Sequence, residues 1–519
     1  MEKYKNLIFI LLFVLISFLY KLQISIKYPP SSIHQWRQAD AISITKNYFE
    51  EGMNLFEPKI HSQSSINGKA VGEFPIIYYV NAAVWKITGQ NYITPRLLNL
   101  CIVFLGLFFL FKICDHYLNT LFYSLFCPFF IFSSPLFGYY SNNFLVNLPA
   151  VGLLFMGWYY FYTYLQTKNL KTLLFSSFLL TFSVLLRPTM MMGILPIYLL
   201  VFLEMIGVLK KNYFNKKLAD YFLLSIPALL LIVWFLISKD YNIQNRSIYF
   251  LSTIRPIWET PNKIEIWNRF VEFVLPEFYH VGFIFLLFGI LFFIVFNHKK
   301  VNRYLLIFLF SILMELILFI LLWFANLNVH DYYLLDFYIL IPVLFLTFFK
   351  LLQNNFNSIF QSKITHVLLI IVLVISFCFG IAKTRIKYFS NNTFVTKNFL
   401  SEDEHKYWDW LKWDYATKIG SSETVEPYLR KIGLKRTDLV FSIPDVSPNI
   451  TLSFMDQKGY TLLGNDKKTI KEGIENALEN HVKYLIITDE VLSKDSTISI
   501  YTRNKIGSFK NISIFQLED

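Results

Sequence analysis

The feature that most constrains this chain is a series of long apolar runs. Stretches of roughly 16 to 22 apolar residues recur along the sequence, and this is the length that an α-helix needs to cross the hydrocarbon core of a bilayer. Both faces of each run are apolar, whereas the strands of a membrane barrel would alternate apolar and polar residues. The sequence therefore predicts an α-helical polytopic membrane protein.

Composition and charge agree with this class. The chain has 519 residues, of which 55% are hydrophobic and only 16% are charged, and a soluble protein of this length would carry more charge. The formal net charge is +12, but the lysines cluster in short loops, as the positive-inside rule expects. No basic stripe with interleaved aromatic residues lies outside the apolar runs, so a nucleic-acid partner is not expected.

The basic loops also predict a topology. "LKKNYFNKK" (209–217) and "NHKKVNR" (297–303) should be cytoplasmic, which places the N-terminus inside and the loop 27–73 outside. Between residues 74 and 208 we count six apolar segments, although passage from outside to inside needs an odd number of crossings. The segment 74–89 or its neighbour is expected not to span, and we predict 11 crossings, with 13 as the alternative.

A change of composition divides the chain. Residues 1–383 form the predicted transmembrane module, whose first extracytoplasmic loop is 27–73, and residues 384–519 form a predicted extracytoplasmic domain. In that tail, "TDLVFSIPD" and "VKYLIITDE" are short β-branched runs, and "KKTIKEGIENALENH" has helical spacing. This pattern predicts an α/β domain with a short parallel or mixed sheet.

The first loop gathers polar residues in "SSIHQWRQAD" (31–40). Ser31 or Ser32 is a candidate helix N-cap, and such a helix would place His34, Arg37 and Gln38 on one face. Asp40 would then open a second amphipathic helix, so that two surface helices lie on the membrane. Alternative interpretations are that Asp40 only caps this second helix and that His34 and Arg37 contact lipid headgroups.

A second acid, Glu73, lies where the chain re-enters the membrane, where an unpaired carboxylate is costly. Two carboxylates that bracket one outer loop, with Arg and His between them, can form a group-transfer site. The same outer face gathers further candidate substrate-binding residues, for which an interfacial aromatic belt is the alternative for the tyrosines. These are Arg187, His330, Asp331, Tyr332, Tyr333, Tyr140 and Asn143.

The ordered set "HQWRQAD", "EFP", "RPT" and "HDYYLL" resembles bacterial glycosyltransferases of the GT-C fold. The resemblance is to the family 39-like group of dolichyl-phosphate-mannose-protein mannosyltransferases and aminoarabinose transferases, and the tail stretch "SIPDVSPNITLSFMDQKGYTLL" is similar to their extracytoplasmic domain. Asp40 is followed by Ala41, whereas the eukaryotic branch carries an Asp-Glu pair. The resemblance implies a polyprenyl-phosphate-linked sugar donor and a lipid, glycan or protein acceptor on the outer face.

By match to the family's first-loop acid, Asp40 would be the general base that takes the proton of the acceptor hydroxyl. Glu73 would position the acceptor or bind a metal, and Arg37, Arg187 and His330 would stabilise the leaving phosphate. One base without a covalent nucleophile implies inversion at the anomeric carbon. A divalent metal cation is possible, with Asp40, Glu73 and His330 as candidate ligands.

These inferences describe a hexosyl- or pentosyltransferase of the bacterial inner membrane, with membrane lipids around it. Two other functions remain open at this stage. A lipid-linked sugar flippase or transporter would show matching halves with broken helices near mid-membrane, and no internal repeat is found. An O-antigen polymerase or ligase uses similar substrates but usually carries its large outer loop late in the chain.

Overall fold

The computed structural model describes residues 2–210, 213–215, 217–247, 254–389, 393–463 and 469–517. Part of the basic loop 209–217 therefore lies outside the described residues.

The described residues fold mainly as helices. In chain order these are α1 Glu2–Leu19, α2 Leu22–Ser25, α3 Gln35–Glu51, α4 Ile76–Thr88, α5 Ile93–Leu118, α6 Leu121–Phe132, α7 Pro135–Ser141, α8 Asn147–Thr167, α9 Leu170–Leu186, α10 Leu195–Met205, α11 Leu218–Gln244, α12 Lys263–Arg269, α13 Leu275–Phe278, α14 Val281–Phe296, α15 Arg303–Leu322, α16 Leu340–Asn355, α17 Asn357–Phe360, α18 Lys363–Tyr388, α19 Phe394–Phe399, α20 Glu402–Lys418, α21 Glu426–Lys431, α22 Ile450–Met455 and α23 Ile470–Glu479.

The chain divides into two compact units. The helical unit comprises Met1–Ile26, Arg96–Leu236 and Thr253–Leu400, and the α/β unit comprises Lys27–Pro95, Ile237–Ser252 and Ser401–Asp519. The tail segment of the α/β unit begins at Ser401, whereas the sequence placed the boundary at 384. The α/β unit also takes in the first loop, which the sequence assigned to the transmembrane module.

The candidate membrane-spanning segments lie mainly in the helical unit. Six described segments are long and apolar enough to cross a bilayer, or eight if each of two bent helix pairs counts as one span. The six are Ile93–Leu118, Pro188–Met205, Leu218–Gln244, Arg303–Leu322, Asp331–Asn355 and Lys363–Tyr388. The predicted class, an α-helical multi-pass membrane protein with a C-terminal α/β region, is confirmed, while the number of crossings stays a prediction.

Two of the predicted segments between 74 and 208 differ in the structure from a straight spanning helix. Helix α4 in the predicted segment 74–89 has only 13 residues, about 20 Å of helix, which is too short for a hydrocarbon core of about 30 Å. In the predicted segment 121–137, α6 and α7 meet at an angle of 77°. Both segments are therefore candidates for the one that does not cross.

Close packing and aromatic rings hold the helical unit together. A Cβ atom on Gly106 in α5 would lie 2.4 Å from the Cα of Gly152 in α8, so the two helices cross in backbone contact that only glycine permits. Phe13 stacks on Phe132 with 4.9 Å between ring centroids. The small residues let the helices approach closely, and the phenylalanines fill the space between the others.

The α/β unit is built on a five-stranded sheet in the order β2-β1-β3-β5-β4. Its strands are β1 Val440–Ile443, β2 Gly459–Thr461, β3 Tyr484–Ile487, β4 Lys505–Phe509 and β5 Ile512–Gln516. The pairs β1–β2 and β1–β3 are parallel, whereas β3–β5 and β4–β5 are antiparallel. The two predicted strands correspond to β1 and β3, the predicted helix to α23, and the sheet is mixed.

The first loop is folded into this same unit. Ser62 bridges Gly459 in parallel orientation at the edge of the sheet, and Gln63 N donates to the carbonyl of Gly459 over 2.8 Å. Helix α3 packs against α4 and α22, and every residue from Gln38 to Tyr48 is buried. The first loop and the tail therefore share one core.

Candidate active site

Asp40 lies in the middle of a single helix, which corrects two sequence-based expectations. Helix α3 runs without a break from Gln35 to Glu51 and has His34, not Ser31 or Ser32, as its N-cap. Ser32 and His34 have φ of 65° and 52°, and such left-handed residues cannot belong to the helix. The predicted pair of surface helices is therefore one buried helix, and Asp40 does not cap a second one.

Gln38 holds the turn that precedes α3. Its Nε2 donates to the carbonyl oxygens of Ser31 and Ile33, each over 2.9 Å. These bonds place the chain reversal directly before the helix and so fix the position of Asp40 six residues downstream of His34. The structure thus gives Gln38 a structural task, and its predicted contact with substrate stays a prediction.

The carboxyl group of Asp40 is almost completely buried, with 2% of the residue exposed. Asn449 Nδ2 lies 3.5 Å from Asp40 Oδ1, and Arg37 Nη1 lies 3.9 Å from Oδ2. Burial raises the pKa of Asp40 to about 7, although Arg37 and Asn449 partly oppose this. A carboxyl group with a pKa near neutral can exchange protons during catalysis at physiological pH.

Glu73 has the opposite electrostatic character. Arg37 Nη2 donates to both of its carboxylate oxygens, over 3.3 and 3.1 Å, and the Tyr78 hydroxyl donates to one of them. Burial alone would raise the pKa of Glu73, but Arg37 and Tyr78 outweigh it and hold the pKa below the ordinary 4.5. Glu73 is therefore ionised while Asp40 titrates near neutral pH, and such a separation of two carboxylates is typical of acid–base sites.

Asn449 reaches Asp40 from the carboxyl end of β1. The loop after this strand is shaped by Asp445, whose oxygens accept from Ser447 N over 2.8 Å and from Thr451 N over 2.8 Å. Asn449 Oδ1 in turn accepts from Ser62 N over 3.2 Å. Ligand sites of α/β sheets lie outside the carboxyl ends of parallel strands, and this position in "SIPDVSPN" was the signal from which Asn449 could have been predicted.

A second polar network in the α/β unit was not predicted from the sequence. Ser43 Oγ lies 2.7 Å from His61 Nδ1, and His61 Nε2 lies 2.7 Å from Asp456 Oδ1. Burial lowers the pKa of His61 to about 3, so the neutral imidazole donates from Nε2 and accepts at Nδ1. Ser43 and His61 have no exposed surface, and the trio therefore joins α3 to the sheet and does not act as a nucleophilic triad.

The ion pair of Arg187 with Asp336 lies in the helical unit. Arg187 Nε and Nη2 donate to the two oxygens of Asp336 over 2.6 and 2.8 Å, and the guanidinium group lies 5.3 Å from the Tyr333 ring centroid. The carboxylate partner of Arg187 is thus Asp336 of the same chain. Two of the guanidinium nitrogens make these bonds, and the remaining N–H groups can recognise a ligand.

The other predicted residues of the helical unit fall into separate contacts. Tyr140 donates its hydroxyl proton to Asp331 Oδ1 over 2.6 Å, and the His330 ring lies 5.2 and 5.8 Å from the rings of Tyr332 and Tyr333. Asn143 Oδ1 accepts from Phe144 N over 2.7 Å and so shapes its own turn. The roles of these residues in binding stay predictions.

Two buried lysines of α18 were missed because they lie in an apolar run. Lys383 and Lys387 place their ammonium groups 3.1 and 2.7 Å from the two oxygens of Glu277. Charges within a membrane-spanning segment are costly and usually serve function. The signal was present in "IAKTRIK", where basic residues recur at helical spacing near the end of the segment.

Comparison with known proteins adds to this geometry. No protein-family model matches the chain, and no curated protein sequence matches it. Its structure is similar to that of ArnT from Cupriavidus metallidurans bound to undecaprenyl phosphate, with a TM-score of 0.56 and 9% identity over 98% of this chain and 97% of that chain. The chain has the GT-C fold. The oligosaccharyltransferase of Archaeoglobus fulgidus, in complex with Zn and sulfate, is also similar, with a TM-score of 0.50 and 11% identity over 91% of this chain and 67% of that chain.

The sequence also named Asp40, Glu73 and His330 as candidate metal ligands. Among the residues that the structure describes, no group of three or more His, Cys, Asp or Glu side chains is arranged to hold a metal ion. Arg37 contacts both Asp40 and Glu73, and a guanidinium cation between two carboxylates repels a divalent ion. The residues present therefore do not fit a metal bound by Asp40 and Glu73.

Proposed function

We propose that this chain is a membrane glycosyltransferase that moves a sugar from a polyprenyl-phosphate-linked donor to an acceptor hydroxyl. The acceptor is a lipid, a glycan or a protein, and transfer takes place on the extracytoplasmic face of the bacterial inner membrane. The observation that carries the proposal is the buried carboxyl group of Asp40, held by Asn449 and Arg37, with a pKa of about 7 beside an ionised Glu73. The GT-C fold and the membrane-spanning helices support it.

In the proposed reaction the ionised Asp40 takes the proton of the acceptor hydroxyl. The acceptor oxygen forms a bond to the anomeric carbon while the bond from that carbon to the phosphate oxygen breaks. The electron pair of the broken bond stays on the phosphate, which leaves as polyprenyl phosphate. No second carboxylate attacks the sugar, so the configuration at the anomeric carbon inverts.

The remaining charged residues have supporting roles. Arg37 binds Glu73 at 3.1 Å and lies 3.9 Å from Asp40, so it favours the ionised form of both carboxyl groups. Glu73 is placed to accept a hydrogen bond from an acceptor hydroxyl. In the helical unit, Arg187 is proposed to hold a phosphate oxygen with the N–H groups that Asp336 does not use, because guanidinium groups bind phosphate strongly.

The test is sugar transfer in proteoliposomes that contain the full chain and a panel of polyprenyl-phosphate sugars and acceptors. We expect transfer by the natural protein and a loss of roughly a hundredfold or more in Asp40→Asn, because a positioned base contributes about 10²–10⁴-fold. Asp409→Asn is the matched control, since the Asp409 side chain is 60% exposed on α20. Thermal unfolding of each variant separates loss of chemistry from loss of fold.

Other outcomes identify the competing functions. Movement of the intact lipid-linked sugar across the bilayer without transfer would contradict the proposal and support a flippase. Joining of one lipid-linked glycan to another would instead support a polymerase or ligase. Full transfer by Asp40→Asn would remove Asp40 as the base.

A further inference from the structure

The helical unit contains a cavity that the proposed transfer reaction does not use. Its volume is about 270 Å³, and its walls come from five helices, with Leu110 of α5, Trp158 of α8, Leu200 of α10, Phe308 of α15 and Leu346 of α16. Four of these helices, α5, α10, α15 and α16, belong to segments long enough to span a bilayer. Because it lies between spanning helices, this apolar cavity borders the hydrocarbon core of the membrane.

One end of the cavity is polar and open. Tyr117, Gln166 and Glu204 line it from the C-terminal ends of α5, α8 and α10, and Asn302 lines it from the basic loop 297–303, directly before α15. Gln166 and Asn302 are exposed, which marks this end as the mouth. By the positive-inside rule, the mouth faces the cytoplasmic leaflet.

The wall at the mouth is held in place by a buried acid. The carboxylate of Glu204 accepts from the backbone N–H groups of Tyr213 and Phe214, each over 3.1 Å, and both of these residues line the cavity. The Glu204 carboxylate is therefore hydrogen-bonded to the backbone of the same chain. These hydrogen bonds hold the wall of the mouth in place.

Three cations are bonded to, or adjacent in the chain to, residues that line this mouth. Lys350 Nζ donates to the carbonyl of the lining residue Tyr117 over 3.1 Å, and Lys168 Nζ donates to the carbonyl of the lining residue Tyr213. Arg303 stands between the lining residues Asn302 and Tyr304 and donates to Val208 O over 3.4 Å. An apolar chamber with a cationic mouth matches a molecule with a hydrocarbon chain and an anionic head.

We propose that this cavity binds one acyl chain of an anionic glycerophospholipid from the cytoplasmic leaflet, with its phosphate at Lys168, Arg303 and Lys350. The acyl chain makes favourable contacts with the apolar side chains only if it fills the cavity. The anionic headgroup gains free energy from ion pairs, which are strongest at the membrane surface. A phospholipid without net charge would gain the contacts of its acyl chain but not the electrostatic attraction of an anionic headgroup. The proposal requires no transfer activity and stands apart from the role of Asp40.

The experiment is native mass spectrometry of the full chain released from nanodiscs. The discs contain equal amounts of phosphatidylglycerol and phosphatidylethanolamine with a smaller amount of undecaprenyl phosphate. We expect one retained phosphatidylglycerol per chain. Leu200→Trp fills the cavity and should lower this retention about tenfold or more, whereas Leu199→Trp, at a position 38% exposed on the same helix, should leave it unchanged.

The headgroup is tested separately. Lys168→Gln combined with Lys350→Gln should lower the preference for phosphatidylglycerol over phosphatidylethanolamine about fivefold or more, while the exposed Lys171→Gln should not change it. If Leu200→Trp does not fold, Leu346→Trp fills the same space from α16. Equal retention of both phospholipids by the natural protein, retention that survives both tryptophan variants, or retention of undecaprenyl phosphate alone would each overturn the proposal.

Discussion

Asn449 Nδ2 lies 3.5 Å from Asp40 Oδ1, although 409 residues separate them in the chain. The amide comes from the loop after β1 and the carboxyl group from the middle of α3, and both belong to the α/β unit. A tail residue therefore helps to set the protonation state of the proposed base. The tail is part of the candidate site, not an accessory to it.

The first prediction concerns this contact. Asn449→Leu removes a hydrogen bond that favours the ionised carboxylate, so the pKa of Asp40 should rise above its value of about 7. A hydrogen bond of about 1 kcal/mol corresponds to about 0.5–1 pH unit. We expect the acidic limb of the kcat/KM profile to move by this amount to higher pH, so that activity falls at pH 7 and recovers above pH 8.

The matched control is Asn480→Leu, at an exposed position in the same unit. Its pH profile should coincide with that of the natural protein. A profile of Asn449→Leu that keeps the same acidic limb but is scaled down uniformly would contradict a role through Asp40. It would instead indicate that Asn449 only holds the loop.

The second prediction links Asp40 to stability. Its pKa rises from 3.8 to about 7 on folding, so the folded chain binds more protons than the unfolded chain between these values, and stability falls as pH rises through that window. Asp40→Asn removes this cost, which is at most about 4 kcal/mol above pH 7. We expect its thermal midpoint to exceed that of the natural protein at pH 8 and the gain to shrink towards pH 4.

Such a variant would be more stable and inactive, which is the usual signature of a group kept for function. The comparison uses differential scanning fluorimetry of both proteins in the same detergent from pH 4 to pH 8. Asp409→Asn should show no gain at any pH because its side chain is 60% exposed. A gain that is equal at pH 4 and pH 8 would show that the effect is packing and not protonation.

The sequence predicted the fold class because long apolar runs and short β-branched runs are local signals. The strands β1 and β3 and the helix α23 follow from such local patterns, and so does the excess of lysine in short loops. The predicted start of α3 was wrong because it depends on the left-handed conformations of Ser32 and His34, and residues 29–35 contain no glycine or asparagine to mark them.

The candidate site was predicted only in part for a related reason. Arg37, Asp40 and Glu73 stand out in the sequence as polar residues beside apolar runs, and the structure brings them together. Asn449, His61 and Asp456 are positioned by contacts between residues that are 395 and 409 positions apart, and no local pattern contains such a pairing.

The third prediction tests the pair Arg187–Asp336. The Asp336 side chain has no exposed surface, so Arg187→Met leaves a buried carboxylate without its cation, and this should cost about 3–5 kcal/mol. The double variant Arg187→Met with Asp336→Leu removes both charges and should recover at least half of the loss. Thermal midpoints of the two single variants and the double variant measure the coupling.

Activity of the double variant then separates the two roles of Arg187. If Arg187 only supports the fold, the double variant should transfer sugar at a rate close to that of the natural protein. If Arg187 also binds the donor phosphate, the double variant should be stable with transfer lowered about tenfold or more. In that case Arg187→Lys should also transfer sugar poorly, because an ammonium group cannot form bidentate contacts with both Asp336 and the donor phosphate.

The fourth prediction concerns Asp456, which accepts hydrogen bonds from the neutral His61 over 2.7 Å and from Arg436 over 3.2 Å. Burial alone would raise its pKa, but His61, Lys46 and Arg436 outweigh burial and hold the pKa of Asp456 far below 3.8. A lowered pKa stabilises the fold at pH values above the unfolded pKa, and this stabilisation is lost progressively as pH falls from the unfolded pKa towards the folded pKa. Asp456→Asn should therefore cost about 2 kcal/mol at pH 7, and the difference from the natural protein should narrow below pH 4. Intrinsic tryptophan fluorescence during thermal unfolding measures both, and a difference that stays constant with pH would show that Asp456 stabilises the unit by shape and not by charge.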